Sequence, residues 1–357
     1  MPTIERRAFV GCVAAGLAAA NQTRPSGILN YNPNMEYRRL GKTGLMVSAV
    51  CLGGHWKRAG VMIHPAFRGN GYDAADAKNI HNPAFLANRR AVVDRAMEVG
   101  INYVDACSPE EILTYSKVLT GRRDKMYFGF SWHTREPRFK EWRTSQKLLQ
   151  GFEQSLREAN LEYADLWRIS LPQESVPDLD VLRMIEEATV GALEKARQQG
   201  KACFTGISSH SRPWLNWMVG QYPSQVQVVL FPYTAASKQL PDDSVFDALK
   251  KNDTGAFGIK PFADNSLFAG DSSPASPHAE EDDRRARLAI RYILGNRAIT
   301  APIPGLVSPH QVDNVAAAVA ERRKLDRREK AELDAAGERM WANLKPDHQW
   351  LKDWEYV

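Results

Sequence analysis

Several features that define large protein classes are missing from this chain of 357 residues. It has only four cysteines, at positions 12, 51, 107 and 203, without a CxxC pair or a metal-like spacing to histidine. This pattern argues against a disulfide framework and against a structural metal site. No run of five Lys or Arg occurs and the net charge is only +5, which argues against a nucleic-acid binder.

Two further absences narrow the choice of fold. No apolar run is long enough for a permanent membrane-spanning helix. No GxGxxG turn follows the first strand pattern, whereas an open dinucleotide-binding sheet should carry one. With 43% hydrophobic and 25% charged residues, the chain is expected to form one large globular domain with terminal extensions.

The first 24 residues have the pattern of an export signal. Arg6 and Arg7 precede an apolar run from Phe9 to Ala20 that ends in three alanines. We interpret residues 1–24 as a Tat-type signal peptide, which predicts export to the periplasm or another extracytoplasmic compartment. A disordered tail with a chance pair of arginines is the alternative. Residues 25–36 are interpreted as a linker.

Strand and helix patterns alternate throughout residues 37–325. A hairpin is predicted at 37–47, and eight strands, each followed by a helix, are predicted at 47–52, 101–106, 126–130, 164–170, 202–207, 226–231, 256–261 and 299–303. This alternation predicts a parallel α/β fold, a (β/α)8 TIM barrel.

Two segments of the predicted barrel protein lie outside this alternation. Residues 57–85 form a long predicted loop after the first strand, either a functional lid or an insertion without function. Residues 326–357 predict a charged helix followed by an aromatic tail. The tail is expected to be held against the protein, across the barrel mouth or in an oligomer contact.

Asp105 ends the apolar strand at 101–106. The carboxyl ends of parallel strands form the active-site face of a barrel, so Asp105 is the first candidate for a catalytic residue. A carboxylate that only caps the next helix is the alternative.

Five motifs resemble the aldo-keto reductase family in order and spacing. They are YRRLGKTGL at 37–45, GINYVD at 100–105, YADLW at 163–167, GISSHS at 206–211 and IPGLVSPHQVDN at 303–314. The resemblance runs from about residue 37 to residue 320, and it implies a barrel whose hairpin closes the bottom.

The resemblance implies a catalytic group of Asp, Tyr, Lys and His, of which only the Asp is matched, by Asp105. The family tyrosine lies in a loop that is deleted here, where Glu110 stands at the corresponding spacing. Ser131 stands at the lysine position and Ser170 at the histidine position. The chain is therefore interpreted as a divergent member with a degenerate catalytic group.

The resemblance also implies a nicotinamide cofactor, either NADP or NAD. Its implied binding residues are Ser208, Ser209, Gly305, Ser308, Gln311 and Asn314. The helix start at Ser308 suits a phosphate group. No basic residue for a 2′-phosphate stands beside Ser308, and Leu230 and Ile259 occupy positions where the family has a glutamine and a stacking aromatic ring.

Other polar and aromatic side chains are expected to open on the same face and to line a pocket. They are His55, Trp56, Ser131, Trp132, His133, Ser170, His210 and Lys260. Indole faces pack on sugar rings, so this set suits a carbohydrate or another polyol. Cys107 as a thiol nucleophile lacks a histidine neighbour in sequence, and Tyr115 lies in a helical run that predicts packing.

Two functions remain open from the sequence. The first is an NAD(P)-dependent oxidoreductase acting on a small carbonyl or sugar-type substrate. The second is a non-redox or binding-only barrel that acts on or binds carbohydrate. Neither involves nucleic acid, a permanent membrane span or a bound metal, and the sequence does not indicate the oligomeric state.

Overall fold

The protein is described by a computed structural model, which covers residues 27–56, 79–171, 176, 178–237, 245–271, 273 and 275–352. The predicted signal peptide, most of the predicted loop at 57–85 and the last five residues of the tail lie outside this range. Within it, no helix is both long enough and apolar enough to cross a membrane.

The chain begins with an antiparallel hairpin of β1 (Tyr37–Arg39) and β2 (Met46–Ser48). A single 3-10 turn, Gly41–Thr43, connects the two strands. Gly41 has a φ of +49°, and a Cβ there would lie 2.2 Å from the backbone nitrogen of Gly255. Glycine is therefore required where the hairpin meets the start of a barrel strand.

Seven parallel strands follow in one sheet, and their spatial order is their sequence order. They are β3 (Tyr103–Ala106), β4 (Tyr127–Phe130), β5 (Ala164–Ser170), β6 (Ala202–Ser208), β7 (Val228–Pro232), β8 (Gly255–Ile259) and β9 (Ala301–Ile303). The predicted (β/α)8 TIM barrel is confirmed in its architecture, and so is the N-terminal hairpin.

The segment after β2 closes the barrel between its first and last strands. On one side, the Leu52 nitrogen donates to the Tyr103 carbonyl at 3.0 Å. On the other side, the Cys51 nitrogen donates to the Pro302 carbonyl at 3.1 Å. The strand predicted at 47–52 is thus divided: its first residues pair in the hairpin, and the rest supplies the eighth position of the barrel wall.

Nine helices are described, eight of them around the barrel. They are α1 (Pro83–Glu98), α2 (Pro109–Val118), α3 (Ser145–Glu158), α4 (Leu179–Gln198), α5 (Arg212–Gln221), α6 (Val245–Lys251), α7 (Ala279–Gly295), α8 (Pro309–Ala320) and α9 (Arg327–Ala342). Helix α1 begins at Pro83, inside the loop predicted at 57–85, because the Asn82 side chain caps it and Pro83 occupies its first turn.

Two apolar layers hold these elements together. The barrel interior is filled by buried side chains from the strands and from the hairpin, including Leu40, Leu45 and Val47. A second, larger cluster fills the space between the strands and the surrounding helices. The hairpin side chains therefore close the amino-terminal end of the barrel, which leaves the carboxyl-terminal end for a site.

Candidate functional site

Two adjoining cavities open at the carboxyl-terminal end of the barrel. The smaller, of about 140 Å³, is lined by residues that follow the strands, among them Gly53, His55, Asp105, Cys107, Glu111, Arg168, Lys260, Asp264 and His348. The larger, of about 550 Å³, lies over the start of α8. Phe262, Asn265 and Gly305 line both cavities, so one elongated ligand can extend from one into the other.

Asp105 lies on the floor of the smaller cavity and is paired with Arg168 of β5. The Arg168 Nε lies 3.1 Å and 3.2 Å from the two carboxylate oxygens, and Nη2 lies 2.5 Å from Oδ1. Both side chains are nearly inaccessible to solvent. This geometry is a buried, bidentate ion pair, which holds both side chains in one orientation.

Ser131 completes the surroundings of this pair. Its hydroxyl accepts a hydrogen bond from Arg168 Nη1 at 2.9 Å. Burial raises the pKa of Asp105, and the adjacent guanidinium opposes that shift. Ser131 stands where the resemblance implies a lysine. In this protein the positive charge beside Asp105 comes instead from Arg168, on the next strand. We call Asp105, Arg168 and Ser131 the Asp105 cluster.

A second charged group lies at the edge of the same cavity. The Nδ1 atom of His55 lies 2.7 Å from Glu111 Oε1, and the Cys107 Sγ atom lies 3.7 Å from His55 Nε2 and 3.9 Å from Nδ1. Glu111 also accepts hydrogen bonds from the backbone nitrogens of Cys107 at 3.0 Å and Ser108 at 3.2 Å. We call His55, Cys107 and Glu111 the His55 cluster.

Local sequence explains how the His55 cluster forms. Helix α2 begins with a capping box, in which the Ser108 hydroxyl accepts from the Glu111 nitrogen and the Glu111 carboxylate accepts from the Ser108 nitrogen. The same carboxylate reaches across to the segment after β2 and accepts from the backbone nitrogen of His55. Helix capping thus fixes the carboxylate that holds the histidine ring.

The charges of this cluster shift two pKa values strongly. The coulombic interaction with Cys107, opposed by burial and assisted by Glu111, raises the pKa of His55 to about 10. The pKa of Glu111 falls to about 2: burial would raise it, and the His55 cation together with hydrogen bonds outweighs that effect. The ring of His55 is therefore protonated at neutral pH.

No tyrosine lies among the described residues that line either cavity. The hydroxyl of Tyr103 lies 3.5 Å from Asp105 Oδ2, but its ring is fully buried inside the barrel against Phe257. The hydroxyl of Tyr115 donates to the Gly53 carbonyl at 2.6 Å in the core. Tyr115 is therefore a packing residue, as its helical position predicted.

Some predicted pocket residues lie in the core or away from the cavities. Trp56 is fully buried against Phe85 and Tyr115, and Trp132 is buried beneath Arg135. Neither indole is placed to pack on a sugar ring. These two side chains are apolar enough to be drawn into the layer between strands and helices.

Three more predicted pocket side chains form structural contacts. The His133 Nδ1 atom lies 3.1 Å from the Cys107 carbonyl, so this ring fixes the backbone next to the His55 cluster. The Ser170 nitrogen donates to Glu136 at 2.8 Å, and its hydroxyl accepts from Arg138 at 3.3 Å. The third, Ser131, accepts a hydrogen bond from Arg168 in the Asp105 cluster.

The C-terminal segment covers part of the barrel mouth. In the 3-10 turn Pro346–Lys352, the Trp350 ring stacks on His210, with ring centroids 3.8 Å apart. The Lys260 Nζ atom lies 5.8 Å from the centre of the same indole. His348 of this turn lines the smaller cavity. The tail therefore joins the ends of β6 and β8 and narrows the entrance.

The predicted cofactor residues divide into two groups. Gly305, Ser308, Gln311 and Asn314 all line the larger cavity. Ser208 and Ser209 are buried at the end of β6 and line neither cavity; the Ser209 nitrogen donates to the Leu230 carbonyl at 3.2 Å. Only the group at α8 is therefore placed at a ligand-sized space.

Two important residues and one important pairing escaped the sequence analysis. Arg168 follows the apolar stretch of β5, and an arginine in a buried strand position signals a partner. Glu111 carries the capping-box signature with Ser108, which predicts a helix start and not a contact with His55. The pairing of Cys107 with His55 had no local signal, because 51 residues separate them in the chain.

Comparison with known proteins agrees with this architecture. The model of the Aldo/keto reductase family matches residues 79–338. L-galactose dehydrogenase of Arabidopsis thaliana is 25% identical over 317 residues, which are 82% of this chain and 90% of the relative. L-glyceraldehyde 3-phosphate reductase of Escherichia coli K12 is 25% identical over 250 residues, 65% of this chain and 63% of the relative.

Among solved structures, aldo-keto reductase AKR11C1 from Bacillus halodurans in its holo form superimposes with a TM-score of 0.59 at 19% identity. The match covers 85% of this chain and 96% of that protein, and it supports the fold. The family model alone spans most of the barrel. From these matches and the barrel that carries the site, the chain belongs to the aldo/keto reductase family.

Proposed function

We propose that this protein is an NAD(P)-dependent oxidoreductase that acts on a small carbonyl compound of sugar type. The observation that carries the proposal is the pair of connected cavities at the carboxyl end of the barrel, one large enough for a nucleotide and one small and charged. The names of the relatives, L-galactose dehydrogenase and L-glyceraldehyde 3-phosphate reductase, support redox chemistry on sugar-type substrates. They do not favour the binding-only alternative.

The larger cavity fits the adenosine end of such a cofactor. Its walls combine apolar groups, including Phe262, Phe268 and Leu306, with polar groups at the start of α8. The Ser308 side chain caps that helix, whose amino terminus favours a phosphate group. Arg287 lines the cavity but is held by Asn314 at 2.6 Å and Glu321 at 3.0 Å, so its charge is shared.

Gly305 is the point at which the cofactor would pass between the cavities. A Cβ at this position would lie 2.2 Å from the Gly54 carbonyl oxygen, so the two backbones touch. Close backbone approach of this kind leaves room for a flat group above it. A bound nicotinamide would supply or accept the hydride.

The residues of the smaller cavity would bind and protonate the substrate. Arg168 and Asp105 are fixed to each other on its floor and present one charged surface. His55 carries a proton at neutral pH, since its pKa is about 10, and its ring is 31% exposed. We assign to His55 the proton transfer to the carbonyl oxygen that a tyrosine performs elsewhere in the family.

Titration of the purified protein with NADH and NADPH, followed by quenching of tryptophan fluorescence, tests the cofactor. Binding of at least one nucleotide below the millimolar range is expected. Gly305→Ala is expected to weaken binding at least about tenfold, because the added methyl group would collide with the Gly54 carbonyl and displace backbone that lines the cavities. Gly295→Ala is the matched control, since a Cβ there meets no atom within 4 Å.

Absence of binding of both nucleotides at millimolar concentration contradicts the proposal. If binding is found, a panel of aldoses, small aldehydes and the corresponding alcohols is offered in both reaction directions. Absorbance at 340 nm then reports turnover. Binding without turnover of any compound would favour the binding-only alternative.

We also propose that residues 1–24 direct export by the Tat route. The twin arginine before an apolar run supports this, and that route carries folded proteins with their cofactors. Fractionation of cells that express the full chain tests it. The wild type is expected outside the cytoplasm and Arg6→Lys/Arg7→Lys inside; equal distribution of both would contradict it.

A further inference from the structure

The His55 cluster has the arrangement of a nucleophile, a base and a group that orients the base. The thiol of Cys107 lies beside the ring of His55, and Glu111 holds the Nδ1 side of that ring at 2.7 Å. Activated nucleophiles in enzymes are recognised by such a constellation and by its position on a cavity. Both Cys107 and His55 line the smaller cavity.

Glu111 is fully engaged by nitrogen donors. Its Oε1 atom accepts from the His55 nitrogen and lies against the His55 ring, and its Oε2 atom accepts from the nitrogens of Cys107 and Ser108. A carboxylate with this many donors has little capacity left to bind a metal ion. The cluster is therefore better suited to hold a proton than to bind a metal ion.

The position of the sulfur decides which atom of the ring faces the substrate. Sγ lies 3.7 Å from Nε2 and 3.9 Å from Nδ1, so it is nearly equidistant from the two nitrogens and not in line with either N–H bond. The Nε2–H bond keeps its direction for the oxygen of a molecule that approaches the sulfur.

We propose that Cys107 is a nucleophile that captures small aldehydes as hemithioacetals, with His55 as the proton donor. The thiolate sulfur forms a bond to the carbonyl carbon, the C=O π bond breaks, and the oxygen takes the proton from His55 Nε2. The product is a neutral hemithioacetal beside a neutral imidazole. The reverse step returns the proton to His55, breaks the C–S bond and releases the aldehyde.

The distances allow this step without a large movement. The Cys107 Sγ atom lies 3.7 Å from His55 Nε2. When the carbonyl carbon of an aldehyde bonds to Sγ, its oxygen can therefore lie about 2.8 Å from Nε2, which is a normal hydrogen-bond distance. The cavity, of about 140 Å³, admits only a small molecule. Its charged floor of Asp105 and Arg168 favours one that carries hydroxyl groups.

This inference rests on the proposed function for the choice of substrate, since small sugar-type aldehydes are among the compounds proposed there. The inference also predicts which sugars bind. Thiols add to aldehydes far more completely than to ketones, so the site is expected to hold open-chain aldoses in preference to ketoses. Capture needs no nucleotide. Its test is therefore independent of cofactor binding.

Alkylation by iodoacetamide, measured for each cysteine by peptide mass spectrometry, is the first experiment. It is performed on the intact protein without nucleotide, at neutral pH. Cys107 is expected to react at least about tenfold faster than Cys203, which is also free and partly exposed. Cys51, which is buried, reports any unfolding.

Two variants connect the reactivity to the cluster. Glu111→Gln retains the shape of the capping residue and removes its charge, and His55→Asn suits the left-handed backbone at this position, where φ is 56°. Each is expected to slow alkylation of Cys107 about tenfold or more and to leave Cys203 unchanged. Equal rates for Cys107 in the wild type and in both variants would overturn the proposal.

Protection by substrate is the second experiment. Glyceraldehyde is expected to protect Cys107 from alkylation, whereas dihydroxyacetone and glycerol at the same concentration are not. With 13C-labelled glyceraldehyde, a new carbon resonance of a hemithioacetal is expected in the wild type and is absent in Cys107→Ser. Equal protection by all three compounds would show simple occupancy and overturn the proposal.

A metal ion on the cluster is the alternative outcome. The nitrogen, sulfur and carboxylate oxygen of the three residues lie within 4.8 Å of one another, which a Zn²⁺ ion could bridge. If alkylation of Cys107 occurs only after treatment with a chelator, the cluster holds a metal and the proposal is wrong. Loss of nucleotide binding alone would contradict the proposed function and leave this result unaffected.

Discussion

The Asp105 cluster and the His55 cluster border the same small cavity, yet their charges are arranged in opposite ways. Asp105 is paired with a guanidinium that never loses its proton, and both groups are buried. Glu111 is paired with an imidazole that is 31% exposed and carries a proton it can release. The first cluster is a fixed support, and the second can exchange protons with a ligand.

This difference shows why a carboxylate at the end of a barrel strand is an insufficient sign of catalysis. Asp105 has the position of a catalytic acid, but Arg168 holds both oxygens of its carboxylate. Glu111 begins a helix and has the position of a cap, but it fixes the partly exposed ring of His55, which lines the cavity. The partner, more than the strand position, decides the chemistry of each carboxylate.

The largest expected effect comes from breaking the buried pair. Asp105→Asn leaves the Arg168 charge without its partner, and a loss of about 3–5 kcal/mol in the free energy of unfolding is expected. Asp253→Asn is the matched control in the exposed pair with Arg39, where about 1 kcal/mol or less is expected. Urea unfolding measures both variants.

The double variant Asp105→Asn/Arg168→Met sharpens this test. Removal of both charges is expected to restore much of the stability, since no unpaired ion remains. If the double variant is as unstable as Asp105→Asn alone, the two charges do not depend on each other and the Asp105 cluster is not a fixed ion pair.

The second prediction uses pH to separate the two clusters. The folded protein raises the pKa of His55 to about 10, above the ordinary value of 6.5. The stabilisation from its charged form is therefore complete below pH 6.5 and is lost as the pH rises to about 10. After allowance for the exposed part of the ring, we expect about 1–2 kcal/mol.

Urea unfolding between pH 6 and pH 10 measures this effect. The wild type is expected to lose more stability across that range than His55→Asn does. Parallel curves for the two proteins would mean that His55 does not carry the charge assigned to it, and that both clusters are fixed supports.

The third prediction concerns the C-terminal segment, whose His348 lines the same small cavity. Trp350→Ala removes the stack on His210 and the contact with Lys260, and a loss of about 1–2 kcal/mol is expected. Trp217→Ala is the control, because that indole is 51% exposed and little change is expected. Thermal unfolding and the rate of proteolysis near the C-terminus report the difference; equal behaviour of both variants would show that the tail is not held.

The smallest effect is expected from Tyr103→Phe. Its hydroxyl reaches Asp105 only at 3.5 Å, so its removal is expected to cost about 0.5–1 kcal/mol and to change kcat less than about twofold. A fall in kcat by two orders of magnitude would make Tyr103 the proton donor. The Asp105 cluster would then be the catalytic one, and the comparison would be reversed.

Sequence patterns predicted the barrel well because its local signals are strong. Strand β5 has the predicted bounds, and helix α8 follows the last strand of the barrel as predicted. The first strand was harder, since residues 47–52 serve both the hairpin and the barrel wall. Closure of the barrel decides which strand each of these residues pairs with. The alternation of apolar and polar residues within the segment does not.

Prediction of the site was less complete for a similar reason. Asp105, His55, Lys260 and Gly305 were expected at a cavity and do line one. Trp56 and Trp132 were expected there too, but burial in the apolar layer is more favourable for an indole than exposure in a polar mouth. Residue type alone does not distinguish a ring that binds ligand from a ring that fills the core.

By itself, the sequence determined the alternation of strands and helices, the caps of the helices and the carboxyl-end position of Asp105, because these depend on residues close together in the chain. Only the tertiary structure decided the partners of each charge. Arg168 reaches Asp105 across 63 residues, and Glu111 reaches His55 across 56. Barrel closure sets those contacts, and burial then makes an unpaired charge so costly that each pair fixes the chemistry of its cluster.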